Sequence, residues 1–211
     1  MGKINQGILG GFSGRVGSVI GSIRQGINMM RAKPNSPYKS RTLAQLQQRA
    51  KFALAISALQ PITPFLRVGF KQYAYRQSGF NAAMSHTVRN AIKGEYPDYA
   101  VDYPNLIVAR GTLTGINVAT AEVLAGKIKI KWELNSGNEG QATDKALVMV
   151  LNPAKGQAAY ITDGAPRSAK SQELAVSPYW AGDAVEVYLA FISEDGNEVA
   201  TSVYLGAVTI V

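Results

Sequence analysis

Hydrophobic and polar positions change their period along this 211-residue chain, and each change predicts a different element. In "GILGGFSGRVGSVIGSIRQGINMMRAKP", residues 7 to 34, Ile8, Phe12, Val16, Val19, Ile23, Ile27 and Met30 recur every three or four positions, as along one helical face. Seven glycines interrupt that stretch, and each costs about 1 kcal/mol against alanine inside a helix. The extended reading fits better. "SVIGSIR" and "INMMRAKP" form two short strands around Gln25-Gly26, where glycine supplies the positive-φ turn position. Glycines at 10, 11, 14, 17 and 21 then mark bulges or close approach of another backbone. A two-stranded ribbon is marginal alone, so it packs on its own domain or on a neighbour, and its open edge invites a strand from another subunit. Residues 1–39 thus read as a glycine-rich arm or β-ribbon built for docking.

Pro34 and Pro37 close the arm, and Ser40 or Thr42 can cap a helix beginning just beyond them. "RTLAQLQQRAKFALAISALQ" carries strong helix formers with apolar residues at 43, 46, 50, 53, 54, 56 and 59, until Pro61 stops it. "PFLRVGFKQYAYRQ" predicts a second helix, and "SGFNAAMSHTVRNAIKG" a third with Ser78 as cap and Gly94 as stop. Beyond residue 95 the period becomes two. "KIKIKWELN" places Ile128, Ile130, Trp132 and Leu134 on one face and Lys127, Lys129, Lys131 and Glu133 on the other. "KALVMVLN", "QAAYIT", "SQELAVS", "DAVEVYLAFIS" and "EVATSVYLGAVTIV" are further strands, separated by turns such as Asn152-Pro153, Asp163-Gly164, Ala181-Gly182 and Asp195-Gly196. The fold class is α+β: an arm (1–39), a helical region (40–94) and an antiparallel β-sandwich (95–211). Roughly seven short strands without a cysteine pair resemble an immunoglobulin-like or fibronectin-type-III-like sandwich, with Trp132 as a core anchor.

Charge changes the picture most. Residues 1–94 hold 14 Lys or Arg and no Asp or Glu; residues 95–211 hold 8 bases and all 14 acids, so the net +8 is a sum of +14 and −6. That asymmetry points to an anionic partner for the first half, either nucleic acid, a membrane surface or an acidic protein face. The residues expected to meet it are Arg15, Arg24, Arg31, Lys33, Lys39, Arg41, Arg49, Lys51, Arg67, Lys71 and Arg76. Phe65, Phe70, Tyr73, Tyr75 and Phe80 lie among them, as stacking partners for bases or as core. Six cations on duplex phosphates would give a slope of about −5 in log K against log salt.

Candidate chemistry is sparse. No cysteine is present, which excludes disulfides and thiolate sites and suits a reducing cytoplasm. His86 is the sole histidine, so no second imidazole completes a metal site, and all acids lie in the other half of the chain. Neither G-x-x-x-x-G-K-[ST], G-x-G-x-x-G nor G-x-S-x-G occurs. Arg15 and Arg24 interrupt the apolar run well short of the ~20 residues a membrane span needs, and a compact apolar signal segment with an A-x-A site is missing. The expectation is a protein without enzymatic activity, cofactor, metal or small-molecule substrate, placed in the cytoplasm or within a virion or other assembly.

"GKINQGILGGFSGRVGSVIG", "RAKP" and "RTLAQLQQRAKFALAISALQPITPFLRVGF" resemble a family of uncharacterised domains widespread in Bacteroidota genomes and their mobile elements. The resemblance is most specific over residues 2–70. It implies a bacterial or bacteriophage source and a two-part layout, and it carries over no catalytic residue. By analogy with phage structural proteins, the leading expectation is a structural or assembly protein that forms a homo-oligomer, virion- or filament-like, with its basic half on an anionic neighbour. Sequence-independent DNA or RNA binding is the alternative, and carbohydrate or surface binding by the sandwich a third.

Overall fold

The computed structural model describes residues 3–4, 10–24, 26–34, 41–134 and 140–210. The chain divides into two compact units, Met1–Thr42 and Leu43–Val211.

The first unit is a four-stranded antiparallel meander of β1 (Lys3–Ile4), β2 (Phe12–Val16), β3 (Val19–Arg24) and β4 (Ile27–Ala32), in sheet order β1-β2-β3-β4. Its hairpins follow from glycine. Gly17, at φ +56°, sits in the two-residue turn between paired Val16 and Val19; Gly26, at φ +80°, does the same between Arg24 and Ile27. Strands β3 and β4 pair across Gly26, and β1 and β2 widen the sheet to four strands; Gln25 lies outside the described residues.

The second unit begins with α1 (Leu43–Leu59), α2 (Thr63–Gly69) and α3 (Gly79–Asn90), followed by a small hairpin of β5 (Ile92–Lys93) and β6 (Ala100–Val101). Ser78 caps α3 as expected, its hydroxyl oxygen accepting from the Asn81 amide at 3.1 Å. Two helical expectations fail. The second helix stops at Gly69 rather than running to Gln77; the Gly69 carbonyl accepts from the non-local Arg110 amide at 2.8 Å instead of from a further helical turn. A single 3-10 turn (Lys71–Tyr73) and Arg76 at φ +53° then reverse the chain. Nor does Gly94 terminate α3, which ends at Asn90; its φ of +90° serves the β5–β6 hairpin instead.

Seven strands make the rest: β7 (Ala119–Leu124), β8 (Lys127–Trp132), β9 (Lys145–Asn152), β10 (Gln157–Ile161), β11 (Ser171–Ala175), β12 (Ala184–Ile192) and β13 (Val203–Thr209). They form two antiparallel sheets, β10-β9-β12-β13 and β11-β8-β7. Strand β8 alternates as its sequence predicts, with Ile128, Ile130 and Trp132 buried; Leu134 falls beyond the strand and is exposed. In β9 and β12, both faces are buried. Ala146, Val148, Val150, Val187, Leu189 and Phe191 pack against Ile128, Ile130 and Trp132 of the smaller sheet. The alternate residues Leu147, Met149, Leu151, Tyr188 and Ala190 pack against Leu59, Ile62, Phe65, Leu66 and Phe70 of the helical region. The α+β unit thus has three layers, helices on sheet on sheet, and residues 43–94 and 95–210 share a core rather than separating at 94.

A buried ion pair ties the loops of the sandwich. The Arg167 guanidinium, 2% exposed, lies 3.2 Å from Asp144 Oδ2 and donates to the carbonyls of Thr114 (2.6 Å) and Gly115 (3.1 Å). It also stacks 4.3 Å from the Phe191 ring centroid, while Trp132 Nε1 donates to the Arg167 carbonyl at 2.8 Å.

Candidate functional site

Paired residues of antiparallel strands project to the same face, so register sorts the side chains of the N-terminal sheet. One face carries Val16, Val19 and Ala32, then Gly14, Gly21 and Met30, then Ile23 and Asn28. It bears no charge. Gly21 is required on it, since a Cβ there would lie 2.3 Å from the Phe12 carbonyl oxygen and 2.6 Å from its ring. The opposite face carries Arg15, Ile20 and Arg31 as one row across β2, β3 and β4, with the Arg24–Ile27 pair further along. From the strand spacing, Arg15 and Arg31 stand about 10 Å apart across the row, and Arg24 about 13 Å along β3 from Ile20. Interposing Ile20 avoids the destabilisation that directly opposed like charges cause.

This sheet builds no core of its own. Gly21 alone is buried among the described residues 10–34; Val16 and Ile23 are 52% exposed, Ile27 66% and Met30 74%. Sheets of this size gain stability from a covered hydrophobic face.

In the larger unit, several acids of the sandwich have a base beside them. Lys127 and Lys129 pair with Glu173, Lys131 with Glu122, Lys145 with Asp163, and Lys155 with Asp183. Across the residue-94 boundary, Lys93 pairs with Asp102 at 3.8 Å. Of the cations expected on the helices, Arg49 and Lys51 lie on α1 and Arg67 on α2. Lys51 sits 5.0 Å from the Tyr99 ring and Arg76 5.2 Å from Tyr75. Lys71 is engaged within its own chain, donating to the Gly196 carbonyl at 2.7 Å, beside Asp195. Arg41 lies two residues before α1; Lys33 follows β4, its amide donating to the Ser18 carbonyl at 2.7 Å. Lys39 lies outside the described residues. Arg15, Arg24 and Arg31 share one face of the N-terminal sheet, while Arg49, Lys51, Arg67, Lys71 and Arg76 belong to the larger unit. Among the interleaved aromatics, Phe65 and Phe70 are core, Phe80 is half-buried, and Tyr73 and Tyr75 are exposed.

One convergence escapes the sequence reading. His86 and Arg89 of α3 meet Arg110, Phe70 and Tyr73 around a hollow of about 190 Å³. Arg110 is placed there by its backbone amide, which donates to the Gly69 carbonyl at 2.8 Å, and its guanidinium lies 4.7 Å from the Tyr73 ring centroid. Burial, with the Arg110 charge adding, lowers the His86 pKa from its ordinary value of 6.5.

No group of three or more His, Cys, Asp or Glu able to hold a metal occurs among the described residues. The run Leu43–Gly69 is long and apolar enough, by length and composition alone, to cross a membrane. In the structure, Ala55, Leu59, Ile62, Phe65 and Leu66 of that run are buried in the core under the larger sheet.

No curated protein matches the chain. Residues 11–206, reaching from β2 into β13 and so spanning both units, match DUF6266, and the chain therefore belongs to this family of unknown function.

Proposed function

We propose that this chain is a non-enzymatic assembly protein whose N-terminal sheet docks through its arginine face onto the acid-bearing surface of a second copy. The observation that carries this reading is the sheet itself: two exposed faces, one uncharged and apolar, the other holding Arg15, Arg24 and Arg31, with no core between. Charge complementarity names the occupant. Glu194, Asp195 and Glu198 are exposed on the loop between β12 and β13, and Glu95 and Asp98 in the β5–β6 hairpin. Such a contact is head-to-tail, and repeated it closes a ring or extends a filament. The apolar face stays available to a further sheet or helix, as in a virion or filament wall. A bacterial or bacteriophage source, implied by the family resemblance, suits this role.

Strand order supports assigning the sandwich to the immunoglobulin-like or fibronectin-type-III-like group. Taken in sequence, the first, second and fifth strands share one sheet, and the fourth, third, sixth and seventh the other. That scaffold carries no activity by itself. Static light scattering at low and moderate salt tests the docking. The chain is expected to be larger than a monomer at low salt and to dissociate as salt screens the contact. The R15E/R24E/R31E variant is expected to be monomeric in both. A wild-type monomer at high concentration in both buffers overturns the proposal.

The same arginine row favours one second reading, sequence-independent nucleic-acid binding. With Arg15, Arg24, Arg31 and Lys33 on phosphates, log K on duplex DNA would fall against log salt with a slope of about −3.6. A mobility shift at low salt that weakens with this slope supports it, and absence of a shift removes it.

A further inference from the structure

We infer that the hollow between α3 and the Arg110 segment is a binding site for a small oxyanion, a carboxylate or a phosphate. The site lies wholly within the larger unit and is independent of the N-terminal sheet.

Its donors come from two elements brought together by the fold. Helix α3 contributes one stripe at helical spacing, Ala82, Ser85, His86, Arg89 and Asn90. The segment after Val108 contributes Arg110, with its guanidinium over the Tyr73 ring. Phe70, 1% exposed, supplies an apolar floor. Arg89 and Arg110 both line it, and no carboxylate is among the lining residues. Like charges gathered in a concave site without acids raise the local concentration of anions. Arginine also offers the forked donor geometry that carboxylate and phosphate accept.

A second, independent observation is the imidazole. His86 Nδ1 is buried and has no hydrogen-bond partner, although buried polar atoms are normally satisfied. The Asn90 amide is spent on the His86 carbonyl at 3.1 Å, and the Gln77 amide on the Tyr73 carbonyl at 3.0 Å; neither satisfies that nitrogen. The imidazole lines the same hollow, so an anion held there by Arg89 and Arg110 would lie beside it. The hollow, about 190 Å³, is large enough for inorganic phosphate or a small carboxylic acid.

The chain has one histidine, so the test reads a single, unambiguous signal. The full chain is titrated with sodium phosphate, and separately with sodium acetate, at constant ionic strength, following the His86 Cε1–H resonance by NMR. The expected result is a saturable shift with at least one of the two salts, accompanied by a rise in the imidazole pKa, because a neighbouring anion favours the charged form. The preferred salt tells phosphate from carboxylate. R110Q and R89Q are each expected to weaken binding about tenfold or more. The indole resonances of Trp132 and Trp180 verify that each variant is folded. A shift that rises linearly without saturating in both salts, or saturation unchanged in folded R89Q and R110Q, overturns the inference.

Discussion

Replacing Asp144 by alanine should destabilise the larger unit more than almost any other polar substitution in it. Asp144 and Arg167 are 1% and 2% exposed, and their ion pair spans 3.2 Å. Removing the carboxylate strands a guanidinium that burial already disfavours, lowering its pKa, and whose Nε has no partner. It also removes the acceptor of the Gln141 amide, now at 3.0 Å from Asp144 Oδ2. Breaking a buried pair by deleting one member costs about 3–5 kcal/mol. The Thr114 and Gly115 carbonyls and the Phe191 ring remain as partners and hold the cost to that range. For a domain of this size, 1 kcal/mol moves Tm by about 2–4 °C, so the expected loss is about 6–20 °C. The assay is urea and thermal unfolding followed by circular dichroism and by Trp132 and Trp180 fluorescence. In a double-mutant cycle, R167M is expected to cost far less in the D144A background than alone. A D144A cost under about 1 kcal/mol, or additive costs, would refute the reasoning.

Two further outcomes rest on local geometry. Gly94 holds φ +90°, and a Cβ there would meet the Asp98 carbonyl oxygen at 2.4 Å, so G94A should cost about 2 kcal/mol or more in denaturant unfolding; a neutral result contradicts the hairpin geometry. His86 has a folded pKa below its unfolded value of 6.5, so the unfolded chain takes up this proton first as pH falls. Stability should therefore drop as pH is lowered through about 6.5, and H86Q should lack that component; equal slopes in the two proteins would exclude His86 as its source.

How far these features are legible in the sequence depends on what sets each. Strand β8 is readable because one of its faces is wet, leaving a strict alternation through Trp132. Strands β9 and β12 are readable as strands but not as the middle layer, since only the packed helices explain apolar residues on both faces. Strand β7, "ATAEVL", does not stand out, because alanine and threonine give its half-buried alternation little contrast. The helical pattern after Pro64 overruns the real end of α2 because the contact at that end, the Arg110 amide on the Gly69 carbonyl, is non-local. In the N-terminal sheet, the ribbon shows in its turn glycines. The gathering of Arg15, Arg24 and Arg31 on one face does not, because it depends on the register set by two successive hairpins. Arg110 is hidden for a similar reason. It lies in irregular backbone beyond the acid-free stretch and reaches His86 only through the fold.

The central claim is that the N-terminal sheet is completed by another molecule. Amide hydrogen exchange, measured across protein concentration at low salt, addresses it most directly. Amides of β3 and β4 are expected to exchange rapidly when dilute and to gain protection as concentration rises, while those of β9 and β12 stay protected throughout. Strong protection of β3 and β4 in the dilute protein, unchanged by concentration or salt, would contradict the account.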